Sequence, residues 1–288
     1  MELVLDARAT LGEGAIWDAR AGRLYWVDIE AGRLHAFDPG DGSDRVFELG
    51  QRVGTVVPRA GGGVMLALEG GFAALDLQTG RSTPAGGPAE PLDGLRFNDG
   101  KCDPAGRFWA GTISLDRRPG AACLYCLEPD GRVRTMLRGV TNSNGIAWSL
   151  DCRTMYYIDT PTRAVTAFDY DLATGRIENP RTVIALPPER GKPDGMTIDA
   201  EGMLWIALWG GGCVERWDPR RGRLLATLAV PARRVSSCAL GGPALDDLYV
   251  TTARIGMSPA ELAAEPHAGG LFRARPGVSG VPAFEYAG

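Results

Sequence analysis

Pro193-Asp194-Gly195-Met196-Thr197-Ile198-Asp199-Ala200-Glu201-Gly202-Met203-Leu204-Trp205-Ile206-Ala207 reads as a β-hairpin. A short apolar strand, Met196 to Ile198, ends in the turn Asp199-Ala200-Glu201-Gly202, and a second strand runs from Met203 to Leu208. An acid backed by glycine, Asp194-Gly195, stands just ahead of the first strand. The arrangement recurs with other polar residues in the same slot. Asn144-Gly145-Ile146-Ala147-Trp148 leads through a turn to Met155-Tyr156-Tyr157-Ile158. Glu13-Gly14-Ala15-Ile16-Trp17 leads to Leu24-Tyr25-Trp26-Val27, and Asn98-Asp99-Gly100-Lys101-Cys102 leads to Phe108-Trp109-Ala110. An equivalent polar position on successive repeats is how a ring of residues is built.

Working outward, strand pairs of this type recur from Leu24 to Ala274, at intervals of roughly 40–50 residues, the period of four-stranded propeller blades. Six copies predict an all-β fold, a six-bladed β-propeller, read as a single domain over residues 1–288. Turns at Asp38–Gly42, Leu77–Gly80, Leu172–Gly175 and Pro219–Gly222 follow the third strand of a unit and return the chain to an outermost strand. Helical signals are confined to Ser258–Glu265, where Ser precedes Pro at the first helical position and Glu at the third. The N-terminal Leu3-Val4-Leu5 is expected to add a strand to the blade made by the C-terminus, closing the ring and hiding both edges.

Composition narrows the function classes. A net charge of -4 gives no electrostatic reason to expect nucleic acid or an anionic membrane as partner. No apolar run has the length of a membrane span. The start Met1-Glu2-Leu3-Val4-Leu5-Asp6 lacks the basic opening and apolar centre of a signal peptide, so a cytoplasmic location is expected. Two histidines, His35 and His267, leave almost no material for a His-rich zinc site or a Ser-His-Asp triad, and both read as structural. Cys123 and Cys126 have redox-motif spacing, but in a strand they point to opposite faces; all six cysteines read as small thiols in a reducing compartment.

Because the first strand of each blade lines a propeller's channel, the polar slot before it marks one channel mouth. Taken in order the slot holds Glu13, then Val53 or Thr55, Asn98 with Asp99, Asn144, Asp194, and Ser236 or Ser237. Carboxylates and carboxamides there are hard oxygen ligands, suited to Ca²⁺, Mg²⁺ or Mn²⁺ better than to a structural zinc. Any one Asn-Gly or Asp-Gly is an ordinary turn dipeptide; four in the same phase of a repeat point to a site.

These segments also carry a resemblance. Leu11–Trp17, Arg96–Lys101 with Asp103–Arg107 and Ala110–Thr112, Ser143–Gly145 with Trp148-Ser149, Pro193–Met196, and Gly241–Pro243 with Leu248–Arg254 follow the order of the SMP-30/gluconolactonase/LRE-like family, which the chain resembles along nearly its whole length. The resemblance implies a sugar (aldono-) lactone as substrate and one divalent metal ion (Ca²⁺, Mn²⁺, Zn²⁺, Mg²⁺ or Fe²⁺) held by Glu13, Asn144 and Asp194. It also implies Asn98 beside the metal and substrate and Arg96 on the substrate; separately, a monomer or weak oligomer is expected. On that reading Asp194 is the catalytic residue, and Trp209 walls the pocket or packs between blades. The resemblance weakens at Ile113–Gly120, where some members place a further substrate-binding acid; here Asp116 is the only acid. Two rivals stand beside the lactonase: an aryl-ester or phosphotriester hydrolase on the same metal site, and a non-catalytic calcium-binding propeller.

Overall fold

A computed structural model describes residues 1–288. β1 (Glu2–Leu5) opens the chain. Blade one is β2 (Gly12–Asp18), β3 (Arg23–Asp28), β4 (Arg33–Phe37) and β5 (Asp44–Glu48). Blade two is β6 (Val53–Pro58), β7 (Val64–Leu68), β8 (Gly71–Leu75) and β9 (Ser82–Gly86). Blade three is β10 (Leu95–Cys102), β11 (Phe108–Ser114), β12 (Ala122–Leu127) and β13 (Val133–Val140). Blade four is β14 (Ser143–Trp148), β15 (Thr154–Asp159), β16 (Ala164–Tyr170) and β17 (Ile177–Ala185). Blade five is β18 (Lys192–Ile198), β19 (Leu204–Trp209), β20 (Cys213–Asp218) and β21 (Arg223–Ala229). Blade six is β22 (Val235–Gly241), β23 (Asp247–Thr252) and β24 (Leu271–Ala274), with β1 as its outermost strand. The protein is therefore a six-bladed β-propeller, closed by the pairing of β1 with β24 as expected. The lone helix α1 (Pro259–Ala264) carries the anticipated capping box: the Glu261 N–H donates to Ser258 Oγ at 3.3 Å, and the Ser258 N–H to Glu261 Oε2 at 2.7 Å.

Apolar side chains pack as wedges between neighbouring blades. Trp109, Trp148 and Tyr170 join blades three and four, and Trp205, Val214 and Leu248 join five and six. Two hairpin turns hold the wedges with one repeated device. Asp199 Oδ1 accepts the N–H of Glu201 and of Met203, both at 2.9 Å, while its Oδ2 accepts Trp205 Nε1 at 2.9 Å and Arg216 Nε at 2.7 Å. Asp103 does the same for Trp109 and Arg107 in blade three. Cys123 and Cys126 fall into different clusters on opposite faces of β12, and all six cysteines are free. His35 is buried against Trp26, ring centroids 3.8 Å apart, with Nδ1 2.7 Å from Asp44.

One expectation needs correction. The slot residues do not precede their strands; they lie inside them. β18 begins at Lys192, and Asp194 sits where its pairing with β19 slips between Pro193 and Met196. The slip recurs in every innermost strand: between Glu13 and Ile16, Val53 and Thr55, Phe97 and Gly100, Ser143 and Ile146, and Val235 and Ser237. A bulge leaves its residues out of the ladder and breaks the alternation of faces, which is why the slot looked like a loop. It also frees the slot side chains to aim together. The glycine behind the slot lets adjacent bulges touch. A methyl on Gly145 would stand 2.5 Å from Met196 Cβ and 2.8 Å from the Asp194 carbonyl oxygen, and one on Gly195 2.7 Å from Ser237 Oγ and 2.8 Å from the Ser236 carbonyl oxygen.

Candidate active site

The six bulges bring their polar side chains to one mouth of the channel, all of them buried: Glu13, Thr55, Asn98 with Asp99, Asn144, Asp194, and Ser236 with Ser237. They divide by what they touch. The neutral ones staple blades. Ser236 donates to the Gly12 carbonyl at 2.5 Å, Ser237 accepts the Ala15 N–H at 3.3 Å, and Thr55 donates to the Gly100 carbonyl at 3.2 Å. The acids are left facing one another. Burial first, then the charges of Asp194 and Asp99, hold the Glu13 carboxyl well above the usual carboxylate range. Burial and Asp99 do the same to Asp194, and burial lifts Asp99, whose Oδ1 accepts the Gly100 N–H at 2.7 Å.

The carboxamides are aimed by fixed partners. Asn144 Nδ2 donates to Thr160 Oγ1 at 2.8 Å, and Thr160 donates to the Pro193 carbonyl at 2.9 Å, tying blade four to the bulge of Asp194. That leaves Asn144 Oδ1 as the atom it offers. Asn98 Nδ2 donates to the Ser143 carbonyl at 2.7 Å and to Asn144 Oδ1 at 3.2 Å, while its Oδ1 accepts Arg96 Nη1 at 2.7 Å. Asn98 thus links Arg96 to Asn144. Arg96 Nη1 also donates to the Phe97 carbonyl at 3.0 Å, and Nε faces Glu30 at 3.6 Å; Nη2 has no partner in the protein. Glu30 in turn accepts Arg52 Nε at 2.8 Å, and Arg52 reaches Glu69 at 2.9 Å.

The donor set fits a hard cation. Asp194 Oδ1 is buried and has no hydrogen-bond partner, a costly state for a carboxylate oxygen unless a cation or proton completes it. Glu13 and Asp194 come from blades one and five, and the Asp194 charge disfavours an ionised Glu13. No group of three His, Cys, Asp or Glu side chains has ligand spacing, so an ion here would rest on two carboxylates and the Asn144 carbonyl oxygen, an all-oxygen set.

Sequence reasoning brought the three expected ligands, Arg96 and Asn98 to one place. It passed over Thr160, Glu30 and Arg52, which lie in or beside turns with no motif to mark them. Asp116 is exposed, hydrogen-bonded by Ser114 and paired with Arg118 at 2.9 Å; it does not enter the site. Trp209 lies 5.8 Å beneath the Arg234 guanidinium and packs on the apolar cluster of the first three blades.

Comparison with known proteins agrees with the fold. Residues 11–254 match the family model described as SMP-30/Gluconolactonase/LRE-like region. A Bacillus subtilis (strain 168) protein named "Putative sugar lactone lactonase YvrE" is 40% identical over 290 residues, covering 100% of this chain and 99% of its own. The regucalcin of Danio rerio is 42% identical over 291 residues, covering 100% and 98%. The crystal structure of a calcium-binding protein, regucalcin, from Agrobacterium tumefaciens superposes with a TM-score of 0.95 at 28% identity, over 99% of this chain and 96% of that one.

Proposed function

The chain belongs to the SMP-30/gluconolactonase/LRE-like family, and from that premise we propose that it hydrolyses sugar lactones at the channel mouth, opening an aldonolactone ring to the aldonic acid. The observation that carries the reading is the buried meeting of Glu13, Asn144 and Asp194 beside a guanidinium with one free end. A divalent ion bound by those three residues would supply Lewis-acid polarisation of the lactone carbonyl. The lactonase named among the relatives and the calcium-binding regucalcin support the reading from outside the chain.

The chain's own residues supply the rest. Asp194 would accept the proton of the attacking water. The water oxygen bonds to the carbonyl carbon, the ring C–O bond breaks, and the departing ring oxygen takes the proton that Asp194 accepted, becoming a hydroxyl. Arg96 Nη2 is free to donate to a sugar hydroxyl, while Nη1 and Nε are held by Asn98 and Glu30. Orientation follows from that fixed frame, because a pre-positioned donor orders the substrate at little entropic cost. A substrate hydroxyl at Asn98 would share an amide already engaged at both ends. A mouth lined by charged and amide groups suits a polyhydroxylated ring better than an aryl ester or a phosphotriester.

The test is a pH-indicator assay of protein stripped with chelator and reloaded separately with Ca²⁺, Mn²⁺, Zn²⁺, Mg²⁺ or Fe²⁺, against five- and six-carbon aldonolactones. Metal-restored hydrolysis of at least one is expected. Failure with every metal and lactone would leave the calcium-binding propeller as the better account.

A further inference from the structure

The far ends of the innermost strands enclose a second site. Three or four residues beyond the slot, roughly 10 Å along a strand, five of the six strands line a cavity of about 330 Å³. Thirteen of its seventeen lining residues are hydrophobic, among them Trp17, Trp148, Ile198 and Leu240, and the segment Val281–Phe284 forms its rim. That volume is at the small end of ligand pockets.

Two observations indicate what it holds. The first is Lys101, the only cation in the lining. Its ammonium lies inside the ring, two residues past Asp99, and donates one hydrogen bond to a neutral acceptor, the Met196 carbonyl oxygen, at 2.7 Å. The Asp99 charge favours the ammonium from nearby, but no carboxylate comes within ion-pair distance of it. An interior ammonium whose one opposing charge, Asp99, stands beyond contact distance is under-compensated, and it still has donors to give. The second is the rim. Of the five large hydrophobic side chains the protein exposes, Leu150 at 48% and Phe284 at 36% both border this cavity. Apolar surface left uncovered around a hollow marks a binding place.

We propose that this cavity binds a small aliphatic monocarboxylate, its carboxylate paired with Lys101 and its alkyl chain running outward between Trp17, Trp148 and Leu240 to Leu150 and Phe284. The site is separate from the channel mouth and does not depend on the lactonase reading. An aldonolactone, hydroxylated on every side, is a poor match for it.

Calorimetric titration with octanoate and with octan-1-ol tests the proposal. Chelator is kept present so that no carboxylate is held by metal at the mouth. Octanoate is expected to bind one to one, at least about ten-fold tighter than the alcohol, the scale of one charge-assisted hydrogen bond. Lys101→Met should erase that preference and leave octanol binding in place, whereas Lys101→Arg should keep it. If Lys101→Met does not fold, Thr197→Glu serves instead: Thr197 lines the same cavity, and a carboxylate there should exclude octanoate. Equal affinity for acid and alcohol, or a preference that survives Lys101→Met, overturns the assignment. So does a rim found buried in a dimer by sedimentation, which would make the exposed side chains a self-contact.

Discussion

At the scale of single residues, the site is a set of charges that the fold holds against their preference. Burial raises both the Glu13 and Asp194 carboxyls, helped by the charges of Asp194 and Asp99 at Glu13 and of Asp99 at Asp194, so in the metal-free protein these groups bind more protons in the folded state than in the unfolded one. Stability is then fully present below the unfolded value of about 4 and is lost as pH climbs through the raised folded values. The melting temperature of chelated protein should therefore fall as pH rises from about 4, and a bound divalent ion should flatten the slope. A chelated protein that gains stability over that range would contradict the charge arrangement. By the same logic Asp194→Asn should abolish lactone hydrolysis while raising the metal-free melting temperature. Full activity of this variant after metal stripping and reloading would remove Asp194 from the site. Arg96 separates recognition from metal binding. Arg96→Ala should leave metal affinity nearly unchanged and lower activity on aldonolactones by roughly ten- to hundred-fold, the worth of a charged hydrogen bond of about 1.5–3 kcal/mol. A lactone without ring hydroxyls should suffer far less. Glu30→Gln, which withdraws the charge facing Arg96 Nε at 3.6 Å, should raise KM for the hydroxylated substrate more than it lowers kcat. Equal losses on both lactones would mean that Arg96 supports the site and does not read the sugar.

At the scale of elements, the repeated unit is the bulged innermost strand followed by its Asp-anchored turn. Its apolar half was legible: Met196–Ile198 and Leu204–Ala207 read as strands because they are short, mainly apolar runs on either side of the turn Asp199–Gly202. Its polar half was not. A bulge inserts residues that pair with nothing, so Pro193-Asp194-Gly195 has the composition of a loop while forming part of β18. The expectation of a polar slot in constant phase survived, because phase depends on spacing; the expectation of its backbone state did not. The glycine of the slot shows what the element demands. Gly195→Ala would drive a methyl against the Ser236 carbonyl and Ser237 Oγ of the next blade, and overpacking of this kind costs typically about 1–3 kcal/mol. The expected result is a lower denaturation midpoint at unchanged m-value, with activity reduced because the Asp194 bulge is the part displaced. An alanine variant as stable as the parent would show that the bulges are not in mutual contact.

At the scale of the whole molecule, six bulges make a site only because the ring is closed. Glu13 and Asp194 sit on blades one and five, and the staple from Ser236 to the Gly12 carbonyl joins residues 224 positions apart. Such distant partners are invisible to local pattern; periodicity implied a ring, yet it could not say that Thr160 would orient Asn144 or that Glu30 would face Arg96. Closure itself was readable, since a short apolar strand at Leu3–Leu5 had no partner nearby. It rests on β1 completing blade six: Leu3 pairs with Phe272, and Arg273 meets Glu2 at 2.9 Å. Removing residues 1–6 should leave β24 as an open edge, the kind of edge that templates association. The truncated protein is expected to melt at lower temperature and to form soluble aggregates on warming. Its kcat at low temperature should hold, because none of Glu13, Asn144, Asp194 or Arg96 touches β1. Light scattering during a thermal ramp, paired with a lactonase assay before it, separates these outcomes. A truncated protein that stays monodisperse with an unchanged melting temperature would mean that blade six is stable on three strands. Loss of kcat in the cold would mean instead that the closing strand holds the distant channel mouth in register.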